Sequence, residues 1–381
     1  MANVIDYLQW RGDLTFAQSS LNEVDSVLFV FLSYFDLEGI IPTDPENESI
    51  SLKEAIMLER VHHVDRPFYG GAMIPSADIQ LMARMMSRSA RFANVRVTGL
   101  VSEIDREREM QFSAYTALLD DKSIFVSFKG TDDTLIGWKE DMNMSFINEV
   151  PGQRWAVEYL NYIGSVTEGG IRIGGHSKGG NLAVYAAAKC KPEIQSRIIR
   201  VYNNDGPGFT NDFLVSQEYL RVKDRVLKLV PQESVIGMLL GNDDNYTVVR
   251  SAKSGVIQHN CYLWEVKGRH FVRHGTLTKK TLELSRVLNQ WISDKDFDTR
   301  RELTDAVYEI LTSSDAKTLT DLARDRAALW RALTKVEPKK RDMVFRALTE
   351  LLSEILRASV PLPAPKKRET EKTIPTPDEN R

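Results

Sequence analysis

Cysteine is nearly missing from this chain, which has only Cys190 and Cys261 in 381 residues. One pair gives no disulfide framework, and no Cys/His clustering suggests a metal, so a reducing cytoplasmic setting and no cofactor are expected. A strong charge of either sign is missing too. A formal net charge of -3 lies too near zero to draw a nucleic acid by long-range attraction, so no nucleic-acid partner is expected. Long apolar runs are lacking as well: Val27 to Phe35 is far too short to span a bilayer. The opening Met1 to Tyr7 shows no basic stretch ahead of an apolar one, so no secretory signal is expected. Histidine is scarce, with six residues, and this narrows any search for a general base.

What is present describes an ordinary folded protein, 42% hydrophobic and 27% charged, long enough for one large core with an appendage. Residues 1–295 read as one α/β unit. Within it, Asn22 to Leu37 has apolar residues at the spacing of one helix face, with Asn22 or Asp25 as cap. Ser113 to Leu119 and Ser123 to Phe128 read as a hairpin across Asp120-Asp121-Lys122. Trp155 to Val166 reads as an amphipathic helix, and Arg197 to Tyr202, Arg225 to Val230 and Tyr262 to Val266 as strands. Strands alternating with helices predict a mainly parallel sheet covered on both faces. Residues 296–358 read as a helical extension of three apolar stripes, with Pro338 breaking between the last two. Residues 359–381, rich in proline and lysine, are expected to be a disordered tail.

The chemistry centres on Gly175-His176-Ser177-Lys178-Gly179-Gly180, set between the apolar run Gly170 to Gly174 and the helix-favouring run Asn181 to Ala188. Strand, G-x-S-x-G and helix in that order form a nucleophile elbow, and they predict an α/β-hydrolase fold with Ser177 as nucleophile. The backbone turns so sharply there that only small residues fit two positions before and after the serine, and Gly175 and Gly179 fill them. Ser177 then needs a base and an acid later in the chain, in the order serine, acid, histidine. That order removes His62 and His63, and adjacency to Ser177 removes His176, leaving His259, His270 and His274. His259 opens an apolar segment at a sheet edge, whereas His270 and His274 lie in a basic stretch that reads as a solvated surface. Asp205, beside Gly206-Pro207-Gly208, and Glu233, after Leu229-Val230-Pro231, both follow a strand as the acid must. For the oxyanion, the N–H of Lys178 is one donor, and Thr131, ending the strand at Lys129-Gly130-Thr131, offers its N–H and hydroxyl as the other. The Lys178 side chain is read as binding an anionic substrate or, more simply, snorkelling to solvent.

Ser127-Phe128-Lys129-Gly130-Thr131, then Trp138 and Asp141, then Gly-His-Ser-Lys-Gly-Gly, resembles the class 3 (fungal triacylglycerol) lipases. The chain is more similar still to a bacterial group of uncharacterised lipase-like proteins. Asp6-Tyr7-Leu8, Asn22 to Asp25, Asn204 to Phe209, Ser234 to Leu239 and Gln258-His259 carry that likeness, which covers residues 3 to about 292. The bacterial group's motifs imply Asp205 and His259; similarity to the class 3 lipases instead implies an acid near Glu233 and a later histidine, with His270 the alternative base. The leading expectation is a serine hydrolase of carboxylic esters, with a small-molecule or lipid-like acyl substrate implied by the resemblance alone. A thioesterase or acyltransferase using the same serine, and a non-catalytic scaffold on the same fold, are the rivals. Val235 to Leu240 is read as an acyl-pocket wall, a lid or a core segment, and Lys339 to Arg341 with Lys366 to Arg368 as a solvated face or a contact to an anionic membrane surface. The sequence fixes no oligomeric state.

Overall fold

A computed structural model describes residues 1–62, 76–243, 245–313, 318 and 332–359. Its centre is an eight-stranded sheet in sequential order: β1 (Ile50–Ser51), β2 (Arg96–Asp105), β3 (Met110–Leu118), β4 (Ile124–Phe128), β5 (Ile171–His176), β6 (Ile198–Asn204), β7 (Val226–Pro231) and β8 (Tyr246–Val249). Neighbours from β1 to β4 run antiparallel and those from β4 to β8 parallel, so the molecule is an α/β protein with a mostly parallel sheet. The expected hairpin is present as β3 and β4, with Leu118 opposite Ile124.

Successive side chains along a strand point to opposite faces, and here both faces are buried. On β4, Phe125 joins one core while Ile124, Val126 and Phe128 join the other. On the Phe125 side lie α1 (Val4–Arg11), α2 (Glu23–Leu32), α3 (Leu52–His62) and α4 (Ser76–Met86). All ten residues of α2 are buried, and Asn22 caps it by accepting the amides of Val24 and Asp25. The helix stops at Leu32, short of the expected Leu37, because Ser33 and the following turns fold back on Val30, Phe31 and Leu32 carbonyls. Against the other face pack α6 (Pro151–Val166) and α7 (Lys178–Lys189), preceded by α5 (Leu135–Asn143). Short helices α8 (Pro192–Ser196), α9 (Asn211–Leu214) and α10 (Gln217–Leu220) complete the crossovers around β6.

Tyr262 to Val266 does not form the expected strand. Cys261–Leu263 is a 3-10 turn, Trp264 makes a lone bridge to Ser251, and Val266–Lys267, β9, pairs with His270–Phe271, β10. The Asn260 side chain accepts the Tyr262 amide, turning the chain before it can extend. Beyond the sheet come α11 (Lys279–Ser293), α12 (Phe297–Thr312) and α13 (Pro338–Ser359). Pro338 opens α13 directly after the break at 336–337 that separates it from helical residues 332–335, as proline's missing N–H permits at a first turn. The middle apolar stripe expected around Leu319 to Leu329, and the tail from Val360, lie outside the described residues. Both cysteines are free and buried. Among the described residues no helix is long and apolar enough to cross a membrane.

Candidate active site

Parallel strands bring their C-terminal ends to one edge, where ligands gather in open α/β sheets. Thr131 follows β4, Ser177 follows β5, Asp205 follows β6, and His259 ends a 3-10 turn (Gly255–His259) in the loop after β8. Ser177 has φ 56° and ψ -130°, left-handed backbone that a serine adopts only when its surroundings impose it. Its amide donates to the Asn204 carbonyl (3.1 Å) and its carbonyl accepts from Gly180 N (2.9 Å). Glycine at 175 and 179 makes the turn fit: a Cβ on Gly175 would lie 2.0 Å from the Gly179 backbone, and one on Gly179 2.2 Å from the Phe128 carbonyl. The turn leaves Lys178 N–H at the head of α7 with no carbonyl inside the helix to bond.

The structure brings Asp205 and His259 together. Asp205 Oδ2 meets His259 Nδ1 at 2.7 Å, with both side chains buried. A carboxylate there accepts a hydrogen bond from Nδ1–H, which fixes the tautomer with its proton on Nδ1 and leaves Nε2 as the basic nitrogen. Asp205 Oδ1 accepts the Ser234 hydroxyl, whose oxygen accepts Gly237 N at 3.1 Å, so the acid cannot swing away. Lys228, whose burial pulls its pKa down to about 8, clamps the same loop by donating to the Gly237 carbonyl at 2.6 Å.

Glu233 and His270 go elsewhere. Glu233 Oε2 accepts the Gly255 amide at the head of the turn that carries His259, and no bond joins its carboxylate to the imidazole. His270 is exposed, 3.7 Å from Glu23. His274, also exposed, bonds the Thr276 carbonyl at 2.8 Å.

Both earlier readings of the Lys178 side chain are corrected. It is fully buried, and its ammonium donates to Glu140 Oε2 (2.8 Å), Gln111 O (2.8 Å) and Gln111 Oε1 (2.7 Å). Three partners use its three protons, so it neither reaches solvent nor waits for an anion. Glu140 also accepts Gly152 N at 2.7 Å, which completes the compensation a buried ion requires. The Thr131 hydroxyl is likewise committed: it donates to Asp141 Oδ2 at 2.6 Å, so its N–H remains the group available to an oxyanion. Burial raises the Asp141 carboxyl to about 6, against the opposing pull of the Lys178 charge and the Thr131 bond.

His176, set aside in the sequence because it adjoins Ser177, packs on His259 with ring centroids 4.3 Å apart. Its Nε2 donates to the His259 carbonyl (2.7 Å), and burial, reinforced by His259, holds its pKa well below the ordinary value. A neutral ring there braces His259. Neither this role nor that of Ser234 had a spacing signal in the sequence.

Ser177, His259, Thr131, Lys178, Asp141 and His176 all line one cavity of about 430 Å³, whose wall is otherwise almost wholly apolar. Ile236, Leu239 and Leu240 from the Val235 to Leu240 segment belong to that wall, as do residues of α11, α12 and α13. No curated protein and no solved structure matches the chain. The Mbeg1-like family model matches residues 86–309, from the end of α4 into α12, and the site residues all fall inside that span. With more than half of its length matched, the chain belongs to the Mbeg1-like family.

Proposed function

We propose that this chain is a serine hydrolase of carboxylic esters on an α/β-hydrolase fold related to the class 3 lipases. The observation that carries the reading is the Asp205–His259 hydrogen bond of 2.7 Å opening on the same cavity as Ser177, a serine held at positive φ on a glycine-flanked turn. Acyl transfer needs that grouping of an oriented imidazole and a serine at a strand-to-helix elbow.

Ser177 Oγ attacks the acyl carbonyl carbon as its proton passes to His259 Nε2, and Asp205 stabilises the imidazolium. The oxyanion is met by the N–H groups of Lys178 and Thr131 near the positive end of α7. The bond to the alcohol breaks, the alcohol leaving with the proton from His259. Water then attacks the acyl-enzyme, its proton moving to His259 and back to Ser177 as the carboxylic acid departs.

A fluorophosphonate probe, which phosphonylates activated serines, tests this directly. The wild-type chain is expected to label, and Ser177→Ala and His259→Ala are expected not to. Wild-type protein that stays unlabelled beside an active control hydrolase would overturn the reading and favour a binding role.

A further inference from the structure

A phenol taken out of water needs an acceptor for its proton, and most buried tyrosines of this protein have one. Tyr7 donates to Asp25, Tyr115 to the Phe29 carbonyl, Tyr159 to the Gly99 carbonyl, Tyr185 to Glu149, Tyr219 to Asp243 and Tyr262 to the Asp78 carbonyl. Tyr34 and Tyr202 differ: both are buried, and among the described residues no group accepts the proton of either. Tyr202 packs in the core on the α2 side of the sheet, whereas Tyr34 lines the cavity over Ser177.

Tyr34 follows α2, its amide bonded to the Phe31 carbonyl at 3.1 Å in the turn that ends the helix, and it precedes the span of the family match. A Cβ on Gly130 would lie 2.5 Å from the Tyr34 hydroxyl oxygen and 3.4 Å from Ser177 Cβ. One point in space therefore touches both the phenol and the side chain of the nucleophile, and only glycine leaves it open. Gly130 directly precedes Thr131 in the loop after β4, so the phenol reaches the elbow across that loop. Tyr34 also borders a second hollow, lined among others by Arg84, Lys129 and Asp132, but the Gly130 contact puts its hydroxyl end beside the elbow. The Lys129 ammonium lies 5.7 Å from the centre of its ring, an attraction that helps to fix the phenol in place. Burial above all, with Asp132 next in effect, holds the Tyr34 pKa above the ordinary phenol value, so the group stays a neutral donor.

We infer that Tyr34 is a catalytic residue, a third oxyanion donor whose hydroxyl joins the N–H groups of Thr131 and Lys178 on the acyl oxygen of the tetrahedral intermediate. This rests on the serine-hydrolase reading. As Ser177 Oγ bonds to the acyl carbon, the π pair of the carbonyl moves onto its oxygen, and the Tyr34 O–H donates a hydrogen bond to that oxygen while keeping its proton. When the alcohol leaves, the carbonyl re-forms and the bond weakens. A fixed donor with no competing acceptor acts more strongly on the developing charge than on the neutral carbonyl, which is the difference that speeds a reaction.

Tyr34→Phe removes the hydroxyl and nothing else. In purified full-length protein it is expected to lower kcat on p-nitrophenyl butyrate about 100-fold, with KM within about three-fold of wild type. Binding of a trifluoromethyl ketone, which adds to the serine as an oxyanion, is expected to weaken by about the same factor. The urea midpoint is expected to stay at the wild-type value, because the fold makes no use of the proton. 4-Aminophenylalanine at position 34 keeps the ring and offers a weaker donor; it is expected to lower kcat only about ten-fold, and it serves if the phenyl variant does not fold. A kcat within about two-fold of wild type in either variant, a rise in KM alone, or a urea midpoint that falls together with kcat overturns the proposal. The hydrolase reading then still stands wherever the fluorophosphonate labels the wild type. A wild type that neither labels nor turns over the ester overturns both.

Discussion

Two buried side-chain pairs flank Ser177, and they are finished differently. Asp205–His259 leaves Nε2 of its imidazole uncommitted towards the cavity, whereas Lys178–Glu140 is saturated, its ammonium holding three acceptors. A pair with a free end can take and return a proton; a pair with none can only hold its neighbours in place. Lys178–Glu140 does hold them: Lys178 heads α7, Glu140 lies on α5, and Asp141 beside it bonds Thr131 in the loop after β4. In the sequence the lysine adjoins the serine and the histidine is 82 residues away.

The largest effect that would break this contrast is on turnover. Asp205→Asn is expected to reduce kcat by about 10⁴-fold on a p-nitrophenyl ester, because Asn can leave the imidazole in the wrong tautomer, with little change in urea unfolding. A loss below ten-fold would place the acid elsewhere. Lys178→Met should act on folding instead, costing about 3–5 kcal/mol in urea unfolding by leaving Glu140 buried and unpaired, and Lys178→Met with Glu140→Leu should recover most of it. Equal loss in the single and double variants would mean that the pair is not the source.

Asp141 sharpens the contrast through pH. Its carboxyl titrates at about 6 in the fold against 3.8 ordinarily, so between those values the folded protein keeps a proton that the unfolded chain has lost. Its stabilising contribution is therefore complete below about pH 4 and is lost as pH rises through about 6. Asp141→Asn should gain stability relative to wild type over that rise, by roughly 3 kcal/mol at most, in unfolding measured at both ends. A gap that stays constant with pH would remove Asp141 as its cause. The smallest effect is expected from His270→Ala, whose exposed ring should leave labelling of Ser177 within about two-fold of wild type.

How much of this was legible follows from how local each feature is. The β3–β4 hairpin, the helix before the elbow, the elbow and the strands on either side of it could be read because each is a run of apolar residues ended by turn-forming ones. β2 was missed: its second half is partly or fully exposed, so Ser102-Glu103-Ile104-Asp105 reads as loop. The 3-10 turn at Cys261 was misread as strand because its residues are apolar for the sake of burial, while one Asn260 side chain decides the backbone.

The sequence by itself determined the glycine-flanked turn at Ser177, because its glycines answer a steric demand made within five residues, and chain order with adjacency to Ser177 left three histidines as candidate bases. Only the tertiary structure shows that Asp205, and not Glu233, lies against His259, since both carboxylates follow a strand and the 2.7 Å contact is made to an imidazole 54 residues further on. It decided equally that Lys178 turns inward and that α13 walls the cavity. Those outcomes depend on partners distant in sequence, Glu140 for the one and Ser177 for the other, and no local pattern encodes a contact whose other half lies elsewhere in the chain.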